Sequence, residues 1–457
     1  MNGPLPAGFE DYFHRVWDDA LVDALVKGLS QDVPVSIRLN ASRMPADVWP
    51  PTAVARVPWC PEGLYLRERP LFTADPLLHA GSYYVQEASS MFIAHVLRHL
   101  LASIPLLSDH TDTALDLCAA PGGKSTILRS LLPARCLLVS NEPLRQRAQV
   151  LAENMAKWGG DNIIVTQAYA RDIARVAASD RLFEGFGLIL ADVPCSGEGM
   201  IRKEEEAVRQ WSPAFVAECA ALQRSIVADI WPALRPGGHL IYSTCTFNPE
   251  EDEDNVEWIA HELGADVVAI PTDPAWGIIG DMRSGRWNES STLSNGQGLP
   301  CYHLIPGQVC GEGFFCAVLR KHEDGGNDAK NADFIDSPVR PASSVRHNKA
   351  GKNKRSKAAA QSFSERLEAA LTVLPTNQLD APGAPHVELS LHDAVRYLRR
   401  EALILPPDTP KGIIQVAYRG QRLGLMKNLG SRANNLYPKE WRIRSGFIEP
   451  RSIFDEA

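Results

Sequence analysis

This 457-residue chain lacks the long apolar runs that mark membrane proteins. No stretch of about 18 apolar residues occurs, which excludes a transmembrane helix. The first ten residues lack a basic segment followed by an apolar one, so no secretory signal peptide is expected. The remaining composition is typical of a globular protein, and its length predicts two or three domains.

Closely spaced cysteines are also missing: the nine cysteines are scattered, and none forms a CxxC pair. An odd, dispersed set favours free thiols in a reducing compartment, so we expect a cytoplasmic protein. No Cys/His cluster has the spacing of zinc ligands, so no metal is expected. The cysteines predicted to be buried packing residues are Cys60, Cys136, Cys219, Cys301, Cys310 and Cys316.

The chain has no overall positive charge, since its formal net charge is −8. The basic residues are nevertheless concentrated. Residues 340–357 carry seven Lys and Arg and no acid, and residues 411–451 carry nine Lys and Arg against two Glu. Because phosphate binding depends on local charge, an acidic protein can still present a basic face. Nucleic acid therefore remains a candidate partner.

Apolar strand patterns alternate with helical patterns in the middle of the chain, which predicts an α/β fold with a mostly parallel, doubly wound, Rossmann-like sheet. Helices are predicted over residues 143–157 and 213–234, the second closed by an Arg-Pro-Gly-Gly turn at 235–238, and over residues 13–29. The predicted strands are Ala114–Cys118, Cys136–Ser140, Asn162–Thr166, Gly187–Asp192, His239–Cys245 and Phe314–Leu319.

Composition divides the chain into four segments. Residues 1–110 mix helix and strand, and residues 111–321 hold the α/β pattern. Residues 322–361 are rich in small polar and charged residues, which predicts a linker. Residues 362–457 recover apolar periodicity and are expected to form a separate small domain.

A glycine-rich turn follows the first predicted strand of the α/β segment. Such a turn lets a ligand approach the backbone, and the following helix offers free N–H groups. Glu142 follows the second strand, 19 residues after Gly123, where a carboxylate can bind both ribose hydroxyls. The pattern predicts an adenosine-type ligand. The residues of the turn are Cys118, Ala119, Ala120, Pro121, Gly122, Gly123 and Lys124.

Three ligands compete for this turn. A triphosphate-binding P-loop requires glycine where Cys118 stands, and the GxGxxG pattern of dinucleotide sites is absent. S-adenosylmethionine remains, and it is favoured by two cysteines further along the chain.

Those two cysteines, Cys195 and Cys245, each end a predicted strand, at the sheet edge where α/β proteins place ligands. Two thiols beside a nucleotide-type pocket indicate covalent chemistry on an electron-poor ring such as cytosine. A thiolate that adds to C6 of cytosine makes C5 nucleophilic enough to accept a methyl group. A base must then remove the C5 proton before the thiol leaves. Asp192, three residues before Cys195, is expected to hydrogen-bond the edge of the base. The spacing leaves open which cysteine attacks.

A cytosine inside a helix hides C5 and C6, so the base must be single-stranded or flipped. Stacking on aromatic rings would hold neighbouring bases. Tyr83 is expected in the core, and the candidate stacking residues are Tyr84, Trp211, Tyr437 and Trp441.

Six segments of the chain, taken together and in order, carry a family resemblance: they are Ile37–Asn40, Tyr83–Met91, Cys118–Lys124, Asp192–Gly197, Ser243–Thr246 and Gly311–Phe315. They resemble the RNA 5-methylcytosine methyltransferases of the Sun/nucleolar-protein family, and within that family the small-subunit rRNA methyltransferase F type. Residues 424–442 resemble the appended PUA-like RNA-binding domain of that type.

The resemblance implies roles that the residue pattern alone does not assign. It makes Cys245 the nucleophile and Cys195 the residue of product release, and it makes Lys124 an active-site cation. It places S-adenosylmethionine against residues 118–124, Glu142 and Asp192. The family has an aspartate after the third strand; here Asp172 is the nearest candidate.

The resemblance implies RNA as the partner, with rRNA or the ribosomal small subunit favoured and tRNA an alternative. A ribosome-assembly factor that binds RNA without catalysis is a second hypothesis. A DNA cytosine methyltransferase, which would attack with Cys195, is a distant third.

Overall fold

The architecture comes from a computed structural model. It describes residues 5–45, 47–103, 113–180, 182–282, 298–323, 362–445 and 448–455. The predicted linker, with its basic run at 340–357, lies outside these residues except for residues 322 and 323. Among the described helices, none is long and apolar enough to span a bilayer.

The described N-terminal part packs three α-helices, the third only four residues long, and a four-stranded antiparallel sheet in the order β2-β3-β1-β4. The predicted helix over 13–29 is wrong as a single element: the helix breaks at Trp17, and Asp18 caps a second helix by accepting a hydrogen bond from the Leu21 N–H, 3.0 Å away. The elements are α1 Phe9–Val16, α2 Asp19–Leu29, β1 Val35–Leu39, β2 Ala53–Val57, β3 Cys60–Leu66, α3 Pro76–His79 and β4 Tyr83–Val85.

The central sheet confirms the predicted α/β fold. The order of its main path is β10-β12-β9-β8-β5-β6-β7-β13, with β11 beside β12. The strands β9, β8, β5, β6 and β7 run parallel, whereas β12 pairs antiparallel with β9. The strands are β5 Thr113–Asp116, β6 Leu137–Asn141, β7 Ile163–Gln167, β8 Phe186–Asp192, β9 Leu234–Thr244, β10 Ala265–Val267, β11 Cys301–Leu304, β12 Phe314–Lys321 and β13 Thr372–Leu374.

Helices cover both faces of this sheet and bury its apolar side chains in two cores. The strand order reverses beside β5, which creates a crevice at the carboxyl ends of β5 and β8. The helices are α4 Phe92–Ser103, α5 Gly123–Leu131, α6 Arg145–Trp158, α7 Ala170–Ser179, α8 Glu205–Gln210, α9 Pro213–Ile230, α10 Glu253–Leu263 and α11 Phe363–Ala370.

Residues 235–238 do not form the predicted helix-closing turn. α9 ends at Ile230, a short 3-10 helix follows, and β9 begins at Leu234. Phe186 pairs with Leu234 and Leu188 pairs with His239, so the intervening Arg-Pro-Gly-Gly segment is an irregular insertion within the strand.

The expected small domain does not begin at residue 362. Leu374, in β13, pairs antiparallel with Val165 of β7, and the Phe363 ring of α11 stacks on Phe183 with centroids 3.7 Å apart. Residues 363–374 therefore extend the central sheet and its helical layer. The other predicted domain limits stay predictions.

The remaining C-terminal residues form a four-stranded sheet with one helix, and residues 412–418 and 421–428 pair antiparallel within this sheet. This sheet shares an apolar core with the N-terminal sheet, where the rings of Tyr83 and Phe454 pack edge to face. The two ends of the chain therefore form one packed unit. The elements are β14 His386–Glu388, α12 Leu391–Leu398, β15 Gly412–Tyr418, β16 Gln421–Asn428 and β17 Ala433–Asn435.

Candidate active site

A cleft of about 560 Å³ opens where β5, β8 and β9 end. Asp116, Asp192 and Cys245 reach it from these strand ends, and Tyr84 and Gln86 close it from the side of β4. The N-terminal sheet therefore supplies part of the wall.

The glycine-rich turn lies along this cleft, as predicted. Gly122 adopts φ 117° immediately before α5, a left-handed conformation in which a side chain would be strained. The Ala119 N–H donates to the Asn141 carbonyl oxygen at 2.8 Å. Cys118, Ala119, Ala120, Pro121, Gly123 and Lys124 line the cleft.

Arg38 holds the turn from outside and was not predicted as a site residue. It comes from β1 and is buried, and its guanidinium donates to Thr126 Oγ1 at 2.5 Å and to the Gly123 carbonyl oxygen at 3.3 Å. The contact with Gly123 joins residues 85 positions apart, and the signal that could have found Arg38 is its place in the family-like segment Ile37–Asn40.

Glu142 is buried behind the rim, and it is not among the described residues that line the cleft. Its carboxylate accepts a hydrogen bond from the Leu144 N–H at 3.0 Å and lies 3.5 Å from Arg147 Nε. Arg147 does line the cleft, and its Nη2 donates to the Ala120 carbonyl oxygen at 2.9 Å. Arg147 thus joins Glu142 to the turn.

The structure does not bring Asp172 to the cleft. It lies in the first turn of α7, and its carboxylate pairs with Arg175 at 3.0 Å. Asp172 is not among the described residues that line the cleft. At that end, the Asn141 amide instead donates to the carbonyl oxygens of Leu117 and Ala168.

Asp116 is a buried cleft residue that the sequence did not single out. Its Oδ2 accepts a hydrogen bond from Ser125 Oγ at 2.6 Å, while its Oδ1 has no partner among the described residues. Burial raises the pKa of this carboxyl to about 7, against the lowering effect of the Ser125 bond. The free oxygen is an unused acceptor in the cleft wall.

Lys124 and Asp192 form an ion pair inside the cleft, with Nζ and Oδ2 2.7 Å apart. Burial alone would lower the pKa of the Lys124 ammonium, but Asp192 outweighs it and the pKa is raised. Ser243 Oγ donates to Asp192 Oδ1 at 2.9 Å, so the carboxylate is fixed from both sides.

The two predicted cysteines meet: Cys195 Sγ and Cys245 Sγ are 3.2 Å apart at the cleft. The hydrogen bond with Cys245, together with burial, raises the pKa of the Cys195 thiol well above its ordinary value. Cys195 is therefore held as a thiol. A protonated thiol next to a second, potentially nucleophilic sulfur is suited to sequential roles.

The remaining predictions fare unevenly. Tyr83 is buried as expected, and Tyr84 lines the cleft. Trp211 and Tyr437 are buried in apolar clusters and are wrong as stacking residues. Among the cysteines predicted to be buried, Cys310 is exposed.

Three potential metal-ligand atoms, of Glu253 at the start of α10 and of Cys301 and His303 in β11, lie within 4.8 Å of one another. The sequence spacing did not indicate this grouping. His303 Nε2 is already 3.1 Å from Glu253 Oε1, a distance typical of a hydrogen bond.

Three family models match separate parts of this chain. The model for "16S rRNA methyltransferase RsmB/F" matches residues 104–320, that for "N-terminal domain of 16S rRNA methyltransferase RsmF" matches 5–88, and that for "Methyltransferase RsmF PUA domain" matches 384–443. The chain belongs to the RsmF family. The third model identifies the C-terminal sheet as the family's PUA domain.

Similar relatives carry the name ribosomal RNA small subunit methyltransferase F. The protein from Pectobacterium atrosepticum is 32% identical over 69% of this chain, and that from Cronobacter sakazakii is 34% identical over 69%. In both cases the match spans 63% of the relative, less than two thirds of its length. The protein from Shewanella loihica is 28% identical over 84% of this chain and 83% of its own.

Solved structures share the fold. The crystal structure of PH0851 has a TM-score of 0.55 at 21% identity, covering 69% of this chain and 66% of that one. NSun6 from Pyrococcus horikoshii with SFG has a TM-score of 0.52 at 19% identity, covering 70% and 99%.

Proposed function

We propose that this protein is an S-adenosylmethionine-dependent methyltransferase that modifies C5 of a cytosine in RNA, with small-subunit rRNA as the substrate. The observation that carries the proposal is the meeting of Cys195 and Cys245, 3.2 Å apart at the cleft that the Lys124–Asp192 pair shares. Two thiols at adjacent strand ends provide one group to attack the base and a second to assist its release.

The cleft fits S-adenosylmethionine on its own chemistry. The Gly122 turn leaves the backbone N–H groups at the start of α5 open, Asp116 Oδ1 offers a free acceptor, and Arg147 holds the turn. Residues 118–124, Asp116 and Asp192 would hold the cofactor, with Glu142 orienting Arg147. When bound, S-adenosylmethionine supplies an electrophilic methyl group.

Cys245 starts the reaction by forming a bond between its Sγ and C6 of the flipped cytosine. This addition turns the C5–C6 double bond into a nucleophilic centre at C5. The Lys124 ammonium shares the cleft with Cys245 and interacts with it electrostatically. Asp192, held by Ser243, faces the cleft where the edge of the base would lie.

Release requires loss of the C5 proton to a base while the bond between Cys245 Sγ and C6 breaks. Cys195 Sγ lies 3.2 Å from the departing sulfur, and it assists this step in our proposal. Free thiols require a reducing compartment, so we propose that the protein works in the cytoplasm.

The choice of rRNA follows from the relatives' names, and the PUA domain favours an RNA partner. A catalytically silent assembly factor is the competing function. It would keep the fold without any need to hold two thiols against one another.

The test uses small-subunit rRNA, S-adenosylmethionine and three variants of the full chain. With Cys195→Ala, we expect a cofactor-dependent protein–RNA adduct that survives a denaturing gel. Cys195→Ala/Cys245→Ala should form none, and Cys310→Ala, which alters an exposed thiol, should turn over like the parent. A folded Cys195→Ala protein that binds cofactor and rRNA but gives no adduct would refute the proposal.

A further inference from the structure

Three consecutive carboxylates, Glu251, Asp252 and Glu253, lie at the start of α10, after β9, and all three are buried. Buried carboxylates are uncommon unless each has a defined partner. The first two face different cysteine loops.

Glu251 binds the loop of Cys195. Its Oε2 accepts the Ser196 N–H at 3.0 Å and the Gln223 amide at 2.6 Å. Gln223 Nε2 also donates to the Pro194 carbonyl oxygen at 2.9 Å. The peptide groups on both sides of Cys195 are therefore fixed by this one carboxylate and its glutamine.

Asp252 binds the loop of Cys245. Its Oδ1 accepts hydrogen bonds from the hydroxyls of Thr244, at 2.6 Å, and Thr246, at 3.2 Å. These two threonines flank Cys245 in the sequence. Asp252 Oδ2 has no hydrogen-bond partner among the described residues, and it lies 4.0 Å from His303 Nδ1.

We infer that Glu251 and Asp252 are separate positioning residues for the two thiols, Glu251 for Cys195 and Asp252 for Cys245. The reaction steps that we assign to these residues rest on the proposed function: Glu251 acts in release of the product, and Asp252 acts in attack on the base. Two adjacent residues would thus control the first and the last step of one reaction.

The hydrogen bonds around Glu251 make Glu251→Gln, a change that keeps the shape of the side chain, an informative test. The Glu251 carboxylate receives donors on both oxygens, since Asn248 Nδ2 donates to Oε1 at 2.8 Å. The Gln223 amide cannot turn over without losing its bonds, because its Oε1 accepts from Tyr242 and Asn255. In either orientation of its amide, Glu251→Gln therefore places an N–H against a donor, which loosens the hydrogen-bond network that holds the Cys195 loop.

At Asp252, by contrast, the amide variant should be tolerated. Asp252→Asn keeps an acceptor for both threonines and turns its amide toward His303, so the Cys245 loop should hold. Asp252→Ala removes the acceptor. A misplacement of about 1 Å can lower a rate about 100-fold, which is the loss we expect for attack in Asp252→Ala.

The experiment measures formation and decay of the covalent adduct on rRNA. Glu251→Gln, with both cysteines intact, should accumulate adduct as Cys195→Ala does, because attack proceeds and release fails. Asp252→Ala in the Cys195→Ala background should form adduct about 100-fold more slowly, and Asp252→Asn should restore it. A general loss of structure cannot produce a gain of trapped adduct.

A second readout needs no RNA. Iodoacetamide labelling of each cysteine, followed by mass spectrometry, should show that Glu251→Gln changes the labelling rate of Cys195 and leaves that of Cys245 unchanged. Asp252→Ala should do the reverse. If each variant alters both thiols equally, or neither, the inference is wrong. If Cys195→Ala alone forms no adduct, the proposed function fails, and the labelling still decides the positioning roles.

Discussion

Lys124 Nζ lies 2.7 Å from Asp192 Oδ2, and this contact ties the glycine-rich turn to the end of β8. The ammonium also lies over the Phe314 ring, 5.0 Å from its centroid. Because the Lys124 pKa is raised, the charged pair is fully present below the ordinary lysine pKa and is lost only as the pH rises through the raised one. The cleft therefore keeps a fixed cation through the neutral range.

Lys124→Met should slow alkylation of Cys245 at neutral pH, because it removes the buried ammonium that interacts with this sulfur. An effect of about tenfold is expected, equivalent to about 1.4 kcal/mol. The measurement is the rate of iodoacetamide labelling of Cys245, resolved by mass spectrometry.

Lys157→Met is the matched control for this change. Lys157 is also largely buried and paired, to Glu153 at 2.5 Å, but it does not line the cleft. Its replacement should leave the labelling of Cys245 unaltered. Equal labelling rates in Lys124→Met and the parent would show that Lys124 does not influence the reactivity of Cys245.

Local sequence patterns were sufficient to predict the parallel strands and the ends that carry Cys195 and Cys245. Each strand is a short apolar run followed by a turn, and parallel strands bring their carboxyl ends together. Within the catalytic sheet, the pattern failed where glycine normally signals a turn. The segment 235–238 is instead an irregular part of β9.

Contacts between distant segments were beyond reach of these patterns. Arg38 reaches the turn at Gly123 from the N-terminal sheet, and β13 is only three residues long, too short for an alternating signal. Asp172 was chosen for its place in the sequence, but helix geometry directs it toward Arg175. Such positions depend on how the elements pack.

Gly199→Ala should impair catalysis while the protein still folds. The Gly199 N–H donates to the Cys245 carbonyl oxygen at 2.8 Å, and an added Cβ would lie 2.9 Å from that same oxygen. Because the obstacle is backbone, the loop must move, at a cost of about 1–3 kcal/mol. Adduct formation in the Cys195→Ala background measures the effect.

Gly280→Ala serves as the control for that substitution, since its Cβ would meet only the Cys301 carbonyl oxygen at 3.9 Å. Adduct formation should be unchanged there. An unimpaired Gly199→Ala enzyme would show that contact between these two loops does not position Cys245.

Asp116→Asn should make stability less dependent on pH. The folded-state pKa of about 7 lies above the ordinary 3.8, so the native state disfavours the charged carboxylate. The parent loses this part of its stability as the pH rises from about 4 to about 7, whereas the variant does not. Relative to the parent, the variant should gain about 3 kcal/mol between pH 5 and pH 8.

Urea unfolding of both proteins at pH 5 and pH 8 measures this difference. Asp23→Asn, at an exposed position on α2, should follow the parent at both pH values. A constant offset between Asp116→Asn and the parent would show that Asp116 titrates alike in the folded and unfolded chains.

Phe363→Ala should destabilise the central domain, although Phe363 follows the predicted linker. Its ring stacks on Phe183 at 3.7 Å and meets Phe186 edge to face at 5.7 Å. Because Phe363 is only partly buried, we expect a loss of about 2 kcal/mol, less than for a core phenylalanine. Urea unfolding measures it against Ile404→Ala, at a residue that is 92% exposed and should change little. Equal unfolding free energies for Phe363→Ala and the parent would mean that the stacking of Phe363 on Phe183 adds no stability to the central domain.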